Sequence, residues 1–141
     1  MKNLLSSATL IALTLIFLSG CSGSKDVKTP SMTNQISKEL GLTNSQTDAG
    51  LGAMMMLSKD KLSADDYSKL NKSIPGGGDN YINKATNLGV LPGSVGTTAD
   101  VVKVLTKLGV SPVQAAKFTG TVLKFTGSLG GSTFGLLSKV F

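Results

Sequence analysis

The residue with the most specific chemistry is the single thiol of the chain. Cys21 is the only cysteine among 141 residues, and it directly follows Leu18, Ser19 and Gly20. An apolar run over residues 10–18 lies upstream, after a short N-terminal segment with one lysine. This order is typical of a secretory signal, whose apolar core is too short to span a bilayer permanently. One thiol cannot form a disulfide within the chain.

The segment around Cys21 resembles bacterial lipoprotein signals. The resemblance implies that the thiol receives a diacylglycerol, that the chain is cut between Gly20 and Cys21, and that the new amine is acylated. Two acyl chains already suffice for stable anchoring, at about 0.8 kcal/mol per buried CH₂, so the implied partner is a lipid bilayer. In proteins of this kind an aspartate after the cysteine holds the product in the inner membrane. Ser22 stands there instead, which favours the outer membrane with the domain facing the periplasm.

Two alternatives for the N-terminal segment stay open. It could be a cleaved secretory signal that leaves an unmodified thiol, or a short hydrophobic helix that is kept in the fold.

The remaining residue types do not assemble a catalytic set. The chain has no histidine, which removes the usual general base near neutral pH and the commonest metal ligand. Asp65 and Asp66 are adjacent, so on a helix they point to different sides and favour helix-start electrostatics over joint catalysis. Asp79 with Asn80 lacks the alternating acidic loop of a calcium hand, and the glycines at 76–78 lack the Lys-Ser/Thr of a phosphate loop. We therefore expect a non-catalytic protein with no cofactor and no metal.

The charge pattern disfavours nucleic-acid binding. All 14 basic residues are lysines, against 8 acidic residues, and the net charge is +6. The lysines are scattered singly, and without arginine there is no bidentate fork for guanine or phosphate. We interpret them as solvated faces and expect no nucleic-acid partner.

The elements that must hold these residues are predicted to be helices. Residues 1–20 are predicted to be the signal peptide, residues 21–31 the lipidated cysteine with a flexible tether, and residues 32–141 one small all-α domain. Within the domain, apolar residues recur at helical spacing, and hydroxyl caps and glycines start and stop each run. The pattern predicts a bundle of about six or seven short helices.

A repeated motif divides the domain into two comparable halves. Leu-Gly-Leu-Thr-Asn-Ser-Gln at 40–46 and Leu-Gly-Val-Ser-Pro-Val-Gln at 108–114 lie 68 residues apart. In each, the glycine ends one helix and the hydroxyl residue caps the next, with Gln46 or Gln114 completing a capping box. A long helix and then a short one follow each copy, which suggests a duplicated helical hairpin. Chance recurrence of good stop-and-start chemistry is the alternative.

The same motifs resemble the VcgC/VcgE-type family of bacterial proteins of unknown function. The likeness is carried by the 40–46 motif, Gly-Leu-Gly-Ala-Met at 50–54, Leu-Ser-Lys at 57–59, Leu-Ser at 62–63 and Ile-Pro-Gly at 74–76. It extends through 108–114 to the glycine-rich terminal helix, although the loop at 93–96 is shorter than expected. Members are commonly exported, which agrees with the signal. The resemblance implies no site residues, because the family has no established activity.

Three features could support binding to a partner protein. Met54, Met55 and Met56 offer an adaptable apolar surface, although methionines at helical spacing are more often core. Ala116 and Gly120 form a small-residue face, continued by Gly127, that another helix could approach closely. Tight packing inside the same domain is the competing explanation. The apolar tail at 131–141 either docks on the core or is donated to a partner.

We therefore expect a membrane-anchored, periplasm-facing lipoprotein with a structural or protein-interaction role. One alternative is a carrier of a lipid or hydrophobic small molecule, with Met54 to Met56 and Phe118 lining a cavity. Another is a protein that perturbs membranes through its glycine-rich amphipathic helices.

Overall fold

The computed structural model describes residues 31–141, and this part of the chain contains seven helices. They are α1 (Met32–Leu40), α2 (Asn44–Lys61), α3 (Ala64–Ser73), α4 (Gly78–Asn87), α5 (Thr98–Lys107), α6 (Pro112–Leu129) and α7 (Gly131–Leu137). No strand occurs within these residues, so the all-α prediction is confirmed. None of the described helices has the length and apolar character needed to cross a membrane. The predicted signal, Cys21 and nearly all of the predicted tether lie outside the described residues.

The junction between α1 and α2 has the stop-and-start chemistry expected from its sequence. Gly41 takes a left-handed conformation at φ 65°, and the amide of Leu42 donates to the carbonyl of Ser37 at 2.9 Å, as in a Schellman cap. Thr43 then accepts from the Gln46 amide at 3.2 Å and donates its own amide to Gln46 Oε1 at 3.0 Å. The predicted capping box is therefore present at the start of α2.

The start of α6 differs from the prediction in one bond. Ser111 Oγ accepts from the Gln114 amide at 3.3 Å, as expected, but Gln114 Oε1 accepts from the Ser111 hydroxyl at 2.7 Å. The return bond to the Ser111 amide that completes a capping box is thus replaced by one to the side chain.

Helix α2 is the centre of the core. Its residues 49–58 are all buried, because other helices cover it on several sides. Two glycines allow the closest of these approaches: a Cβ on Gly50 would lie 2.6 Å from Phe118 Cζ of α6, and one on Gly52 would overlap the carbonyl of Tyr81 in α4. Packing this tight leaves no room for a side chain at either position.

The order of the helices repeats, as the sequence motif suggested. Helices α2 and α6 each have 18 residues, and their first residues are again 68 positions apart. A shorter helix precedes each of them, α1 or α5, and a shorter one follows, α3 or α7. Only α4 has no counterpart in the second half of the described chain.

Candidate interaction surface on helix α6

Two glutamines join the two repeated junctions. Gln46 Nε2 donates to the carbonyl of Leu108 at 2.9 Å, and Gln114 Nε2 donates to the carbonyl of Leu40 at 2.8 Å. Each bond satisfies a carbonyl at the end of a helix, which has no partner inside that helix. The two bonds are reciprocal, since each glutamine reaches the leucine of the other motif. Sequence reasoning assigned both glutamines to capping alone and missed this second role.

The two long helices bury the same stripe. In α2 the stripe is Thr47, Gly50, Met54 and Ser58, and in α6 it is Ala115, Phe118, Val122 and Thr126. Each residue of the second set lies 68 positions after its equivalent in the first. The repeat therefore describes how the helices pack as well as where they start.

On its other side, α2 is covered by α4. Lys84 Nζ of α4 lies 3.1 Å from Asp48 Oδ2, and Asp79 lies 3.6 Å from Lys59 Nζ near the other end of α2. Between these two ion pairs, Gly52 lies against α4 so closely that no Cβ would fit. Helix α4 therefore runs antiparallel along the α2 face that contains Asp48, Gly52 and Lys59.

The equivalent face of α6 has no such cover in the described chain. Ala116, Gly120 and Gly127 are all exposed, and a Cβ on Gly120 would meet no neighbouring atom within 4 Å. These are the counterparts of Asp48, Gly52 and Lys59. The structure thus places the predicted residues Ala116 and Gly120 together on an open helix face.

Larger apolar side chains extend this open face. Val113, one turn before Ala116, is 65% exposed, and Leu123, between Gly120 and Gly127, is half-buried. Phe134 of α7 packs within 3.8 Å of the Cβ position of Gly127 and is itself 43% exposed. Sequence reasoning did not single out Val113 or Leu123, although their 3-4 spacing with Ala116 and Gly120 was visible.

Two lysines border the face on one side. Lys117 and Lys124 are seven residues apart on α6 and both are exposed, while α6 contains no acidic residue. Lys124 Nζ lies 3.7 Å from Glu39 of α1, and the two side chains are 80% and 52% exposed. An ion pair this exposed contributes little to stability, so its lysine can exchange partners at low cost.

The three methionines are packing residues. Met54, Met55 and Met56 are 1%, 3% and 7% exposed, and the methyl group of Met55 lies against Gly78 of α4. A partner would have to displace α4 to reach Met55. Of the two interpretations of these residues, packing within the domain is the one observed.

The polar clusters of the domain bind their own neighbours. Asp79 accepts from the Tyr67 hydroxyl at 2.7 Å and from Asn71 Nδ2 at 2.6 Å, which ties α3 to the start of α4. Burial, followed by the hydrogen bond and the negative charge of Asp79, raises the pKa of Tyr67 well above its usual value. Tyr67 therefore keeps its proton, and its bond to Asp79, beyond the pH at which an ordinary tyrosine ionises.

A second cluster joins α1, α2 and α4. Asp48 accepts from the Thr33 hydroxyl at 2.6 Å and pairs with Lys84, and the Thr33 hydroxyl also lies 3.4 Å from that of Tyr81. The arrangement holds three helices together through one partly buried carboxylate.

The two adjacent aspartates at the start of α3 have different surroundings. Asp66 pairs with Lys139 at 3.3 Å, while Asp65 beside it is exposed. Within residues 31–141, no group of three or more histidine, cysteine, aspartate or glutamate side chains is placed to hold a metal ion.

An open cleft of about 420 Å³ lies between α2, α4 and the loop before α5. Met56 and Ile82 form part of its wall, with Pro92 and Val95 from the loop, and Lys59 and Asp60 lie at its polar side. Lys59 and Asp60 already pair with neighbouring charges, Asp79 and Lys61. The cleft is therefore mixed in character and gives no defined ligand chemistry.

Comparison with known proteins gives one relationship. No curated protein and no solved structure matches the chain. The family described as "Protein of unknown function VcgC/VcgE (DUF2780)" matches residues 19–139, which is most of the chain. The resemblance expected from the sequence motifs is confirmed, and the chain belongs to the VcgC/VcgE family of proteins of unknown function.

Proposed function

We propose that this protein is a lipid-anchored, periplasm-facing interaction module without catalytic activity. The observation that carries the proposal is the open face of α6, whose equivalent on α2 is covered by another helix. An unpartnered helix face bordered by charges is a common way to recognise a partner helix.

The side-chain chemistry supports a binding role over a catalytic one. The carboxylates of Asp48 and Asp79 hold neighbouring helices together, and the chain supplies no histidine to act as a base. Both carboxylates therefore already have structural partners.

The carrier alternative gains no support from the core. Phe118 is fully buried and lies against Gly50, while Met54 and Met55 are almost fully buried within the domain. A ligand among these side chains would have to displace them. We therefore keep the interaction module as the single proposed function.

The anchor is tested by replacing the thiol. Cys21→Ser should move the protein out of the membrane fraction and remove the acyl mass from the mature N-terminus, because acylation requires the sulfur. The wild-type chain, processed in parallel, should carry that mass on Cys21. A wild-type protein without acyl mass, or a Cys21→Ser variant that stays with membranes, would overturn the anchor.

The interaction role is tested on α6 itself. A photo-crosslinking amino acid at Val113 should form a protein adduct in intact cells, since this side chain is 65% exposed at the end of the open face and already larger than its glycine and alanine neighbours. The same probe at Lys107, which is exposed on α5, is the control and should form no such adduct. Absence of an adduct at Val113 would overturn the proposed docking face.

A further inference from the structure

The open face of α6 has the spacing of a helix-packing seam. We define the α6 seam as five residues on one side of the helix: Val113, Ala116, Gly120, Leu123 and Gly127. Successive members are three, four, three and four residues apart, which keeps them in line along an α-helix that faces a partner helix. Over these positions the seam is about 21 Å long, at roughly 1.5 Å per residue. It therefore has room for a partner helix of about four turns.

The first half of the domain shows how such a seam is used. The equivalents of Ala116, Gly120, Leu123 and Gly127 are Asp48, Gly52, Met55 and Lys59. Each of these four residues contacts α4, through an ion pair at both ends and close packing at Gly52 and Met55. Of the positions that hold α4 on α2, the equivalents Ala116 and Gly120 are open on α6, while Leu123 is half-buried and Gly127 lies beside Phe134 of α7.

We propose that an acidic amphipathic helix of another protein docks antiparallel on the α6 seam, as α4 docks on α2, with carboxylates opposite Lys117 and Lys124. This inference rests on the proposed interaction function and names the chemistry of its partner. A small residue on that helix lies at Gly120, where the two backbones approach most closely. The partner's apolar side chains cover Val113 and Leu123.

Charge identifies the acidic partner. Lys117 and Lys124 stand seven residues apart, directly after Ala116 and Leu123, at the positions that flank a packing seam and choose partners by charge. The whole chain after Asp100 contains five lysines and no acidic residue. A helix with carboxylates at the same seven-residue spacing complements this side, and a basic helix is repelled.

The same charges disfavour a second copy of this chain. Two α6 helices packed antiparallel about a two-fold axis would bring Lys117 of one copy near Lys124 of the other. Like charges held at close range are destabilising. A bilayer surface is also a poor match, because three of the five seam residues are glycine or alanine and bury little apolar area in lipid.

The test uses two helix-stapled peptides of about 20 residues. Both carry alanine and leucine at seam spacing and differ only at two flanking positions seven residues apart, where one has glutamate and the other lysine. Binding to the purified mature chain is measured by fluorescence anisotropy. We expect the acidic peptide to bind more tightly than the basic one by on the order of tenfold, because it makes two attractive charge pairs with the flanking lysines where the basic peptide makes two repulsive ones.

Variants of the chain separate the contributions of charge and shape. With Lys117→Glu and Lys124→Glu together, the preference should invert, so that the basic peptide binds more tightly. The control replaces Lys72 and Lys107, two exposed lysines on α3 and α5, by glutamate. It has the same net charge as the first double variant and should keep the preference for the acidic peptide. Gly120→Leu should abolish binding of both peptides, and Ala116→Gln provides a second block at an exposed position. Circular dichroism verifies that each variant remains folded.

Several results would overturn the inference. These are equal binding of the two peptides, binding that survives Gly120→Leu, self-association of the wild-type chain that Gly120→Leu removes, and binding to anionic vesicles through the seam. The first three leave the membrane fractionation of Cys21→Ser unaffected, so failure of the partner chemistry is distinguishable from failure of the anchor. Vesicle binding is measured separately on the purified, unacylated chain. A protein adduct at Val113 together with no acidic preference would keep the interaction function and reject the acidic helix.

Discussion

The amides of Gln46 and Gln114 each act in two places at once. The oxygen of Gln46 caps α2, while its nitrogen reaches the last turn of α5 at Leu108. Gln114 acts in the same way from the other half: its oxygen accepts from the Ser111 hydroxyl and its nitrogen donates to the Leu40 carbonyl. The starts of α2 and α6 and the contact between the two halves therefore depend on the same two side chains.

Replacing either glutamine by glutamate isolates the contact between the halves. Gln46→Glu keeps a capping oxygen for Thr43 but removes the donor to the Leu108 carbonyl, so it should lower the free energy of unfolding by about 1–2 kcal/mol. Gln114→Glu should cost a similar amount, because the two bonds are reciprocal. Urea unfolding measures both.

Asn83→Asp is the matched control for these two variants. Asn83 is exposed on α4, so the change should stay within about 0.5 kcal/mol of the wild type. A loss for Gln46→Glu no larger than this control would contradict a stabilising role for the bond.

The carboxylate of Asp100, in the first turn of α5, makes the stability of the domain depend on pH. Hydrogen bonds from Lys103, Thr97 and the Gly96 amide lower its pKa from 3.8 to about 2. Because the folded-state pKa lies below the unfolded value, this stabilisation is present above pH 4 and is lost as the pH falls toward 2. Thermal unfolding from pH 5 to 2 should show a shallower decline for Asp100→Asn than for the wild type. Identical slopes would contradict it.

At the scale of the helices, the difference between α2 and α6 comes from what covers them. Both bury the equivalent stripe, and the two stripes meet where Gly50 lies against Phe118, but only α2 also carries α4. For this reason α2 is buried through residues 49–58, whereas α6 keeps an open side. The presence of α4 thus makes α2 central, while the equivalent face of α6 stays open to a partner.

Two glycine substitutions report this difference directly. Gly52→Ala should destabilise the domain by about 1–3 kcal/mol, because the new methyl group overlaps the Tyr81 carbonyl. Gly120→Ala should stabilise it by about 0.5–1 kcal/mol, because alanine favours the helix and no neighbouring atom lies within 4 Å. Chemical denaturation compares the two, and equal effects would argue against the open face.

For the molecule as a whole, we expect charge and the proposed anchor to act together. The acidic residues all lie within residues 26–100, so every charged side chain after Asp100 is a lysine. A proposed lipid on Cys21 would hold this basic part of the domain near other envelope proteins. Confinement to one surface raises the effective concentration of a partner there.

The residue after the predicted lipidation site should decide which membrane holds the protein. Ser22→Asp is expected to move it from the outer-membrane to the inner-membrane fraction, since aspartate at this place marks retention in lipoproteins with similar signals. Separation of the two membranes on a density gradient measures the shift. Ser22→Thr is the control and should stay with the outer membrane. An unchanged distribution for Ser22→Asp would contradict the proposed sorting.

The sequence alone was enough to predict the helices and their ends, because these depend on neighbouring residues. Gly41 needs only its left-handed conformation, and Thr43 with Gln46 needs only a spacing of three residues, so the start of α2 was predictable. The small-residue face at Ala116 and Gly120 was visible for the same reason. The 68-residue repeat likewise needed no structure to be found.

Tertiary structure alone decided which helix faces are covered. A run of methionines suits a core or a binding surface, and only the packing of the other helices around α2 buried Met54 to Met56, with Met55 against α4. In the same way, Gly52 and Gly120 are equivalent in sequence, yet one lies against α4 and the other meets no neighbour. Local sequence determines how a helix begins and ends, while the burial of its sides depends on residues distant in the chain.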